Sequence, residues 1–322
     1  MEPNTEKIEL YAVRDFGQRL TVVMDFLRQN WKPVLIYLTY FLLPLSLVQA
    51  LNLNGFMGGY LDILGSMTRG AEEPSASSLL SFVLHTLGFI GFYVVGMLLL
   101  DAVLYGMMRL YQHGDGKLGA VEWKDLKPDF MFSLKRATIL TLASTAVGMA
   151  FLVVLGLIMV GLALISPALI LLGYLLMLAV IIALLPPLSL ITPAYVFEDN
   201  TTLMGAIRKG CRLGFKTWGS TVAVMLILSL IINIISQFTA LPWSIMFIVK
   251  MFFGLGLDGL DGSFTESVFF TFGTYLSGVL QCFGGYVASA ALVIGAAYLY
   301  GHAAEKLDSF TVDSNIQNFE NL

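Results

Sequence analysis

The sequence predicts an all-α membrane protein: a polytopic transmembrane helical bundle of about six spans, with amphipathic interfacial helices preceding spans 1 and 5. Three observations predict it. The 322 residues are 57% hydrophobic and only 12% charged, about half the charged share usual in soluble domains. Several apolar runs reach the roughly 20 residues that a helix needs to cross hydrocarbon. Lys and Arg gather in alternate connections between those runs, the bias that marks a cytoplasmic face. With a mean hydropathy of +0.81, a soluble chain of this length could not hide its apolar surface in one core. A bilayer accepts that surface directly.

The spans follow in order. The first covers about 33–51 and the second about 79–104. The apolar stretch between Ala137 and Val196 is long enough for two spans and must turn once, near Gly161–Pro167, with Ser166 as N-cap and Pro167 as first helical residue. The fifth span covers about 218–238, and the sixth lies within 267–300. Lipid offers the backbone no hydrogen-bond partner, so each span must be a helix. Barrel strands would alternate apolar and polar residues, and these runs do not.

Of the 18 Lys and Arg residues, only Arg69 and Lys250 fall in the connections assigned to the outside. The partition predicts cytoplasmic N- and C-termini. Residues 1–32 lack the short apolar region and cleavage site of a secretory signal, so the first span is expected to serve as an uncleaved anchor. The chain then divides into a cytoplasmic N-terminal segment with an amphipathic interfacial helix (1–32), a six-span membrane domain (33–304) and a flexible cytoplasmic tail (305–322). A net charge of −4 argues against a nucleic-acid partner. Cys211 and Cys282 lie on different segments and read as small apolar fillers rather than a disulfide.

Residues 13–31 carry an amphipathic pattern: Val13, Phe16, Leu20, Met24, Leu27 and Trp31 recur at spacings of three and four. Residues 201–218 repeat it with Leu203, Ile207, Cys211, Gly214 and Trp218. Arg208, Arg212 and Lys216 form a basic stripe on that second helix, and with Trp31 and Trp218 they are the candidate lipid-headgroup contacts. A fixed shift along the chain aligns Phe16 with Leu203, Leu20 with Ile207, Met24 with Cys211, Leu27 with Gly214 and Trp31 with Trp218. The segment 128–137 reads as a shortened third copy. The outer connections 51–67 and 240–257 each read as a short helix lying on the surface.

Polar residues inside spans are the leads to function, because lipid makes them costly. Asp101 reads as a proton or cation site, or as a carboxylate paired with Arg109 or the basic stripe. His85 lies about 24 Å from it along the helix, too far to share a proton, and reads as hydrogen-bonded packing. Asn233 and Gln237, at i and i+4, and Gln281 line a polar cavity or act as interhelical glue. Small residues predict close helix contacts at Gly88 and Gly96, at Ser144, Gly148 and Gly156, and along Gly285–Gly295. Pro186, Pro187 and Pro193 are expected to interrupt the end of the fourth span. His113 and His302 stand alone on the cytoplasmic side, and no HExxH, CxxC, GxGxxG, P-loop or GxSxG pattern is present. HGDGKLGA (113–120) reads as a turn. No catalytic residue, cofactor or metal is expected.

DFLRQNWKPVLIYLTYFLLP (25–44) and FEDNTTLMGAIRKGCRLGFKTWGS (197–220) resemble a family of bacterial six-span inner-membrane proteins of undefined role. They are more distantly similar to the membrane domain attached to some glycerophosphodiester phosphodiesterases. The resemblance covers most of the chain and implies a bacterial inner membrane. It implies no phosphodiesterase activity, since the catalytic domain is missing. Three readings stay open: a non-enzymatic protein that organises or assists envelope components, a permease for a small or amphipathic substrate, and an intramembrane enzyme acting on lipid. Membrane lipids, and other membrane proteins under the first reading, are the expected partners.

Overall fold

The computed structural model describes residues 7–68, 74–114, 118–119, 121–254 and 263–309. They form α1 (Phe16–Thr68), α2 (Ala76–His113), α3 (Trp123–Ile165), α4 (Pro167–Phe197), α5 (Leu203–Lys216), α6 (Trp218–Gly254), α7 (Ser263–Glu266) and α8 (Val268–Asp308), with no strand among the described residues. Six of these helices, all but α5 and α7, are long and apolar enough to cross a membrane. The chain is a multi-pass, all-α membrane protein.

The helices run further than expected. The segments 51–67 and 240–257 are not separate surface helices, for α1 continues to Thr68 and α6 to Gly254. No proline breaks 51–67, and its glycines serve packing instead. A Cβ at Gly59 would stand 2.9 Å from the Cα of Phe82 on α2. The expected tail also starts late, since α8 extends through Glu305 to Asp308. Its remainder from Phe310, residues 115–117 and 120 of the expected turn, and Arg69 lie outside the described residues.

The turn at Ser166 falls where proline places it. Ser166 is extended (φ −164, ψ 136), and its carbonyl accepts from the Leu169 N–H at 3.0 Å to open α4.

The internal repeat is written into the backbone. α1 is broken at Asn30 (φ −121, ψ 17), and α5 is separated from α6 by Thr217 (φ −107, ψ 16). The shift that aligns Trp31 with Trp218 aligns these two residues as well. The two side chains fold back alike: Asn30 Nδ2 donates to the Phe26 carbonyl at 3.1 Å and Thr217 Oγ1 to the Leu213 carbonyl at 2.8 Å, which also accepts the Thr217 N–H at 3.0 Å. Asn30 Oδ1 also accepts from the Leu118 N–H. The suggested third copy lacks this device, since α3 runs straight through 128–137 and buries Leu126, Phe130, Ser133 and Ala137.

Pro186, Pro187 and Pro193 do not interrupt α4, contrary to expectation. A proline at position 187 has no N–H for the carbonyl of Ala183. The Trp218 indole supplies the missing donor, at 3.0 Å. α5 lies close against the same stretch of α4. A Cβ at Gly210 would stand 2.9 Å from the Ile191 Cα, and one at Gly214 would stand 2.5 Å from the Pro187 Cα. The buried face of α5 is therefore Ala206, Gly210, Leu213 and Gly214, rotated from the Leu203–Ile207–Cys211 row that periodicity singles out.

The described chain forms two compact units. One draws on residues within 1–34, 101–229 and 291–322, and the other on 35–100 and 230–290. Inside the second, Tyr286 Oη bonds Gln49 Oε1 at 2.8 Å, with both side chains buried, and Trp243 Nε1 donates to Asn54 Oδ1 at 3.1 Å.

Trp218→Phe should leave the Ala183 carbonyl without a donor and lower stability by about 1–3 kcal/mol. Pro187→Ala, which restores the backbone N–H, should recover most of that loss in the double variant. Thermal unfolding of the single and double variants in detergent checks the coupling.

Candidate functional site

Asp101 sits on α2 where α3 and α4 pass it. α2 approaches α3 closely because residue 106 is glycine: a Cβ there would stand 3.0 Å from the Phe130 backbone. Deeper along α2 the helices part. A cavity of about 260 Å³ opens, lined by Asp101, Ala137, Leu140, Thr141, Ser144, Leu188, Ile191 and Thr192. Its walls are aliphatic apart from the carboxylate and three hydroxyl side chains. Thr141 and Ser144 lie one turn apart on α3, so they face the same space.

Neither expected partner pairs with the Asp101 carboxylate. Arg109 lies about 12 Å further along α2 and is fully engaged elsewhere. Its Nε meets Asp129 Oδ1 at 3.0 Å, its Nη2 meets Asp199 Oδ1 at 2.9 Å, and its Nη1 donates to the Val196 carbonyl at 2.7 Å. Arg136 donates to the carbonyls of Tyr195, Glu198 and Asp199. The two guanidinium groups both contact the Phe132 ring, at 4.2 and 4.4 Å from its centroid. Together they satisfy the carbonyls that the end of α4 leaves open.

Among the described residues, only Arg212 of the basic stripe is engaged, and Lys209 beside it is taken up too. Glu198 bonds Lys209 and the Tyr300 hydroxyl, and Arg212 pairs with Asp308 at 2.6 Å. Among the described residues no cation lies within ion-pair distance of Asp101. The carboxylate therefore faces a largely apolar cavity with only hydroxyls for company.

No family model, curated protein or solved structure matches the chain.

The other expected polar leads scatter. His85 packs over Gly55, in the space that a Cβ there would fill. Asn233 and Gln237 are exposed on α6. Gln281 keeps a buried Oε1 that finds no partner among the described residues. Trp31 is exposed with Lys32 Nζ 5.7 Å from its ring centroid, and Arg208 and Lys216 are exposed. Gly88 and Gly96 do mark close packing, against Asn52 and Tyr286, whereas Gly148, Gly156 and Gly285 meet nothing within 4 Å. Burial pushes the Cys211 thiol up, away from a reactive thiolate. No group of three or more His, Cys, Asp or Glu among the described residues can hold a metal.

Sequence reasoning missed the three hydroxyls. Thr141 and Thr192 look like ordinary helix residues, and only the crossing of α3 and α4 turns them towards Asp101.

Asp101→Asn should fold and express as the parent does, because the carboxylate holds no structural partner. Arg109→Met should lower stability by about 3 kcal/mol, since it strands Asp129 and opens the end of α4. Unfolding midpoints of both variants in the same detergent separate a cavity group from a structural one.

Proposed function

We propose that this chain is a non-enzymatic permease of the bacterial inner membrane for a small amphipathic substrate with a cationic head. The Asp101 cavity carries this reading and ranks it above the envelope-organising role that the sequence favours. A carboxylate without a counter-ion is costly in a membrane-spanning helix. A substrate ammonium supplies the charge that no neighbouring side chain supplies. Thr141, Ser144 and Thr192 can accept its remaining hydrogen bonds, and Leu140, Leu188 and Ile191 can cover its apolar part. At about 260 Å³ the space falls just below the roughly 300–1,000 Å³ of pockets that enclose drug-sized ligands. It suits a headgroup or a short amphiphile rather than a whole lipid.

The Lys and Arg partition supports cytoplasmic termini. The resemblance of 25–44 and 197–220 to six-span inner-membrane proteins supports the location. Exposed Trp31, Trp218, Arg208 and Lys216 support contact with headgroups at the basic face. Arg212 joins them through its exposed side, beside Asp308.

A second reading, an accessory protein that docks other membrane proteins, draws on the α3–α4 hairpin. Val147, Leu157, Leu164 and Leu171 on it are each two-thirds exposed or more, which leaves an apolar face for lipid or for a partner helix.

The full chain in nanodiscs of uncharged lipid should bind a short-chain primary amine in preference to the alcohol of equal length. Asp101→Asn should weaken amine binding about tenfold or more. Equal affinities for amine and alcohol would sink the proposal and leave the accessory reading. Reporter fusions after Lys250 should be active only outside the cytoplasm, and cytoplasmic activity there would reverse the orientation.

A further inference from the structure

Arg19, in the first turn of α1, is only 7% exposed, yet its Nε and Nη1 meet no hydrogen-bond acceptor among the described residues. The guanidinium rests 5.8 Å from the Phe16 ring centroid, but a ring accepts no pair of N–H donors, and a missing anion is one of the few reasons to leave such donors buried and unsatisfied. The surroundings of Arg19 are rich in donors. His302 on α8 feels the positive charges of Arg19, Lys306 and Arg14. Its Nδ1 accepts from the Arg14 N–H at 3.0 Å, so the neutral ring carries its proton on Nε2 and offers a further donor.

Arg14 itself is spent on the carbonyls of Glu9, Leu10 and Ala12. Its guanidinium stands 5.2 Å from the Tyr298 ring centroid. The charge of Asp15 acts on Arg19, but no hydrogen bond joins the two side chains. Lys306 lies one turn beyond His302 on α8, and Arg19 is near enough for its charge to act on the imidazole. Val13 just before α1 (61% exposed), and Met24 (40%) and Trp31 (54%) on it, present apolar surface of the kind that rests on a bilayer.

We propose that Arg19, with Lys306 and His302, forms a phosphate-binding site at the start of α1. The flat fork of an arginine fits two phosphate oxygens at once, and a lysine adds a point charge. The exposed apolar face of the same segment, turned away from the buried row of Arg19, Val22, Val23 and Phe26, brings the segment to a membrane surface. There the phosphodiester of a lipid headgroup is at hand, and free phosphate offers the same chemistry. The site is separate from the Asp101 cavity and does not depend on the permease reading.

The test uses the full chain in an uncharged detergent, with dihexanoyl phosphatidylglycerol, dihexanoylglycerol and inorganic phosphate as probes. The parent should bind the phospholipid and not the phosphate-free glyceride. Arg19→Gln should weaken that binding about tenfold, a loss of roughly 1.4 kcal/mol. Lys306→Gln should weaken it less, and Arg208→Gln, on the exposed stripe, should leave it unchanged. Displacement by inorganic phosphate at comparable concentration assigns the site to free phosphate, and resistance to displacement assigns it to lipid. If Arg19→Gln does not fold, Arg19→Lys provides the comparison, with its charge kept and its fork lost. Unchanged phospholipid binding in the Arg19 variants, or equal binding of the glyceride by the parent, overturns the proposal.

Discussion

Hydrocarbon cannot complete a hydrogen bond, and this one constraint orders the rest of the structure. Wherever a helix breaks, bends or ends, another part of the chain must satisfy the backbone group set loose. The indole of Trp218 reaches the carbonyl that Pro187 strands on Ala183. Asn30 and Thr217 fold their side chains back onto carbonyls one turn earlier, where α1 breaks and α5 gives way to α6. Arg109 and Arg136 gather the open carbonyls at the end of α4. Pro187 can therefore sit inside α4 with its freed carbonyl satisfied, and a glycine-faced α5 can lie against the same stretch.

The same requirement divides the basic residues. Arg109, Arg136 and Lys209 are consumed by carbonyls and carboxylates between helices. Arg208 and Lys216 stay exposed. Arg19 belongs to neither class, being buried with its Nε and Nη1 lacking an acceptor among the described residues. Charge counting along the chain treats all of these as one population. The structure separates those that hold helices together from those left to meet something outside the protein. The acidic side divides in the same way. Asp129, Glu198 and Asp308 are paired, whereas Asp101 faces a cavity.

Much of the fold was legible because the signals are local. A long apolar run has one stable form in lipid, so six long helices follow from length and composition alone. Ser166-Pro167 marks its turn because proline fixes φ and opens a helix without losing a bond. The tryptophan-ended repeat was visible as a shifted row of residues. The expectations that failed were those that depend on partners far away in sequence. The outer segments 51–67 and 240–257 were read as surface helices because nothing local says that they continue a bundle. The α4 prolines were read as a break because the repairing indole lies beyond the next turn. Spacing alone leaves Arg109 open as a partner for Asp101, whereas Asp129, Asp199 and the Val196 carbonyl hold it.

The sequence by itself determined that the chain is helical, that its helices lie in a membrane, and that its positive charge collects at alternate connections. These are properties of each residue's transfer from water to lipid, and they do not depend on which helix neighbours which. Only the tertiary structure decided that Thr141, Ser144 and Thr192 share a cavity with Asp101, and that Arg19 is buried in the first turn of α1. Those groupings arise where helices cross, at positions fixed by glycines such as Gly106, Gly210 and Gly214 meeting another backbone. A close approach of that kind is a property of pairs of surfaces, which no single segment carries.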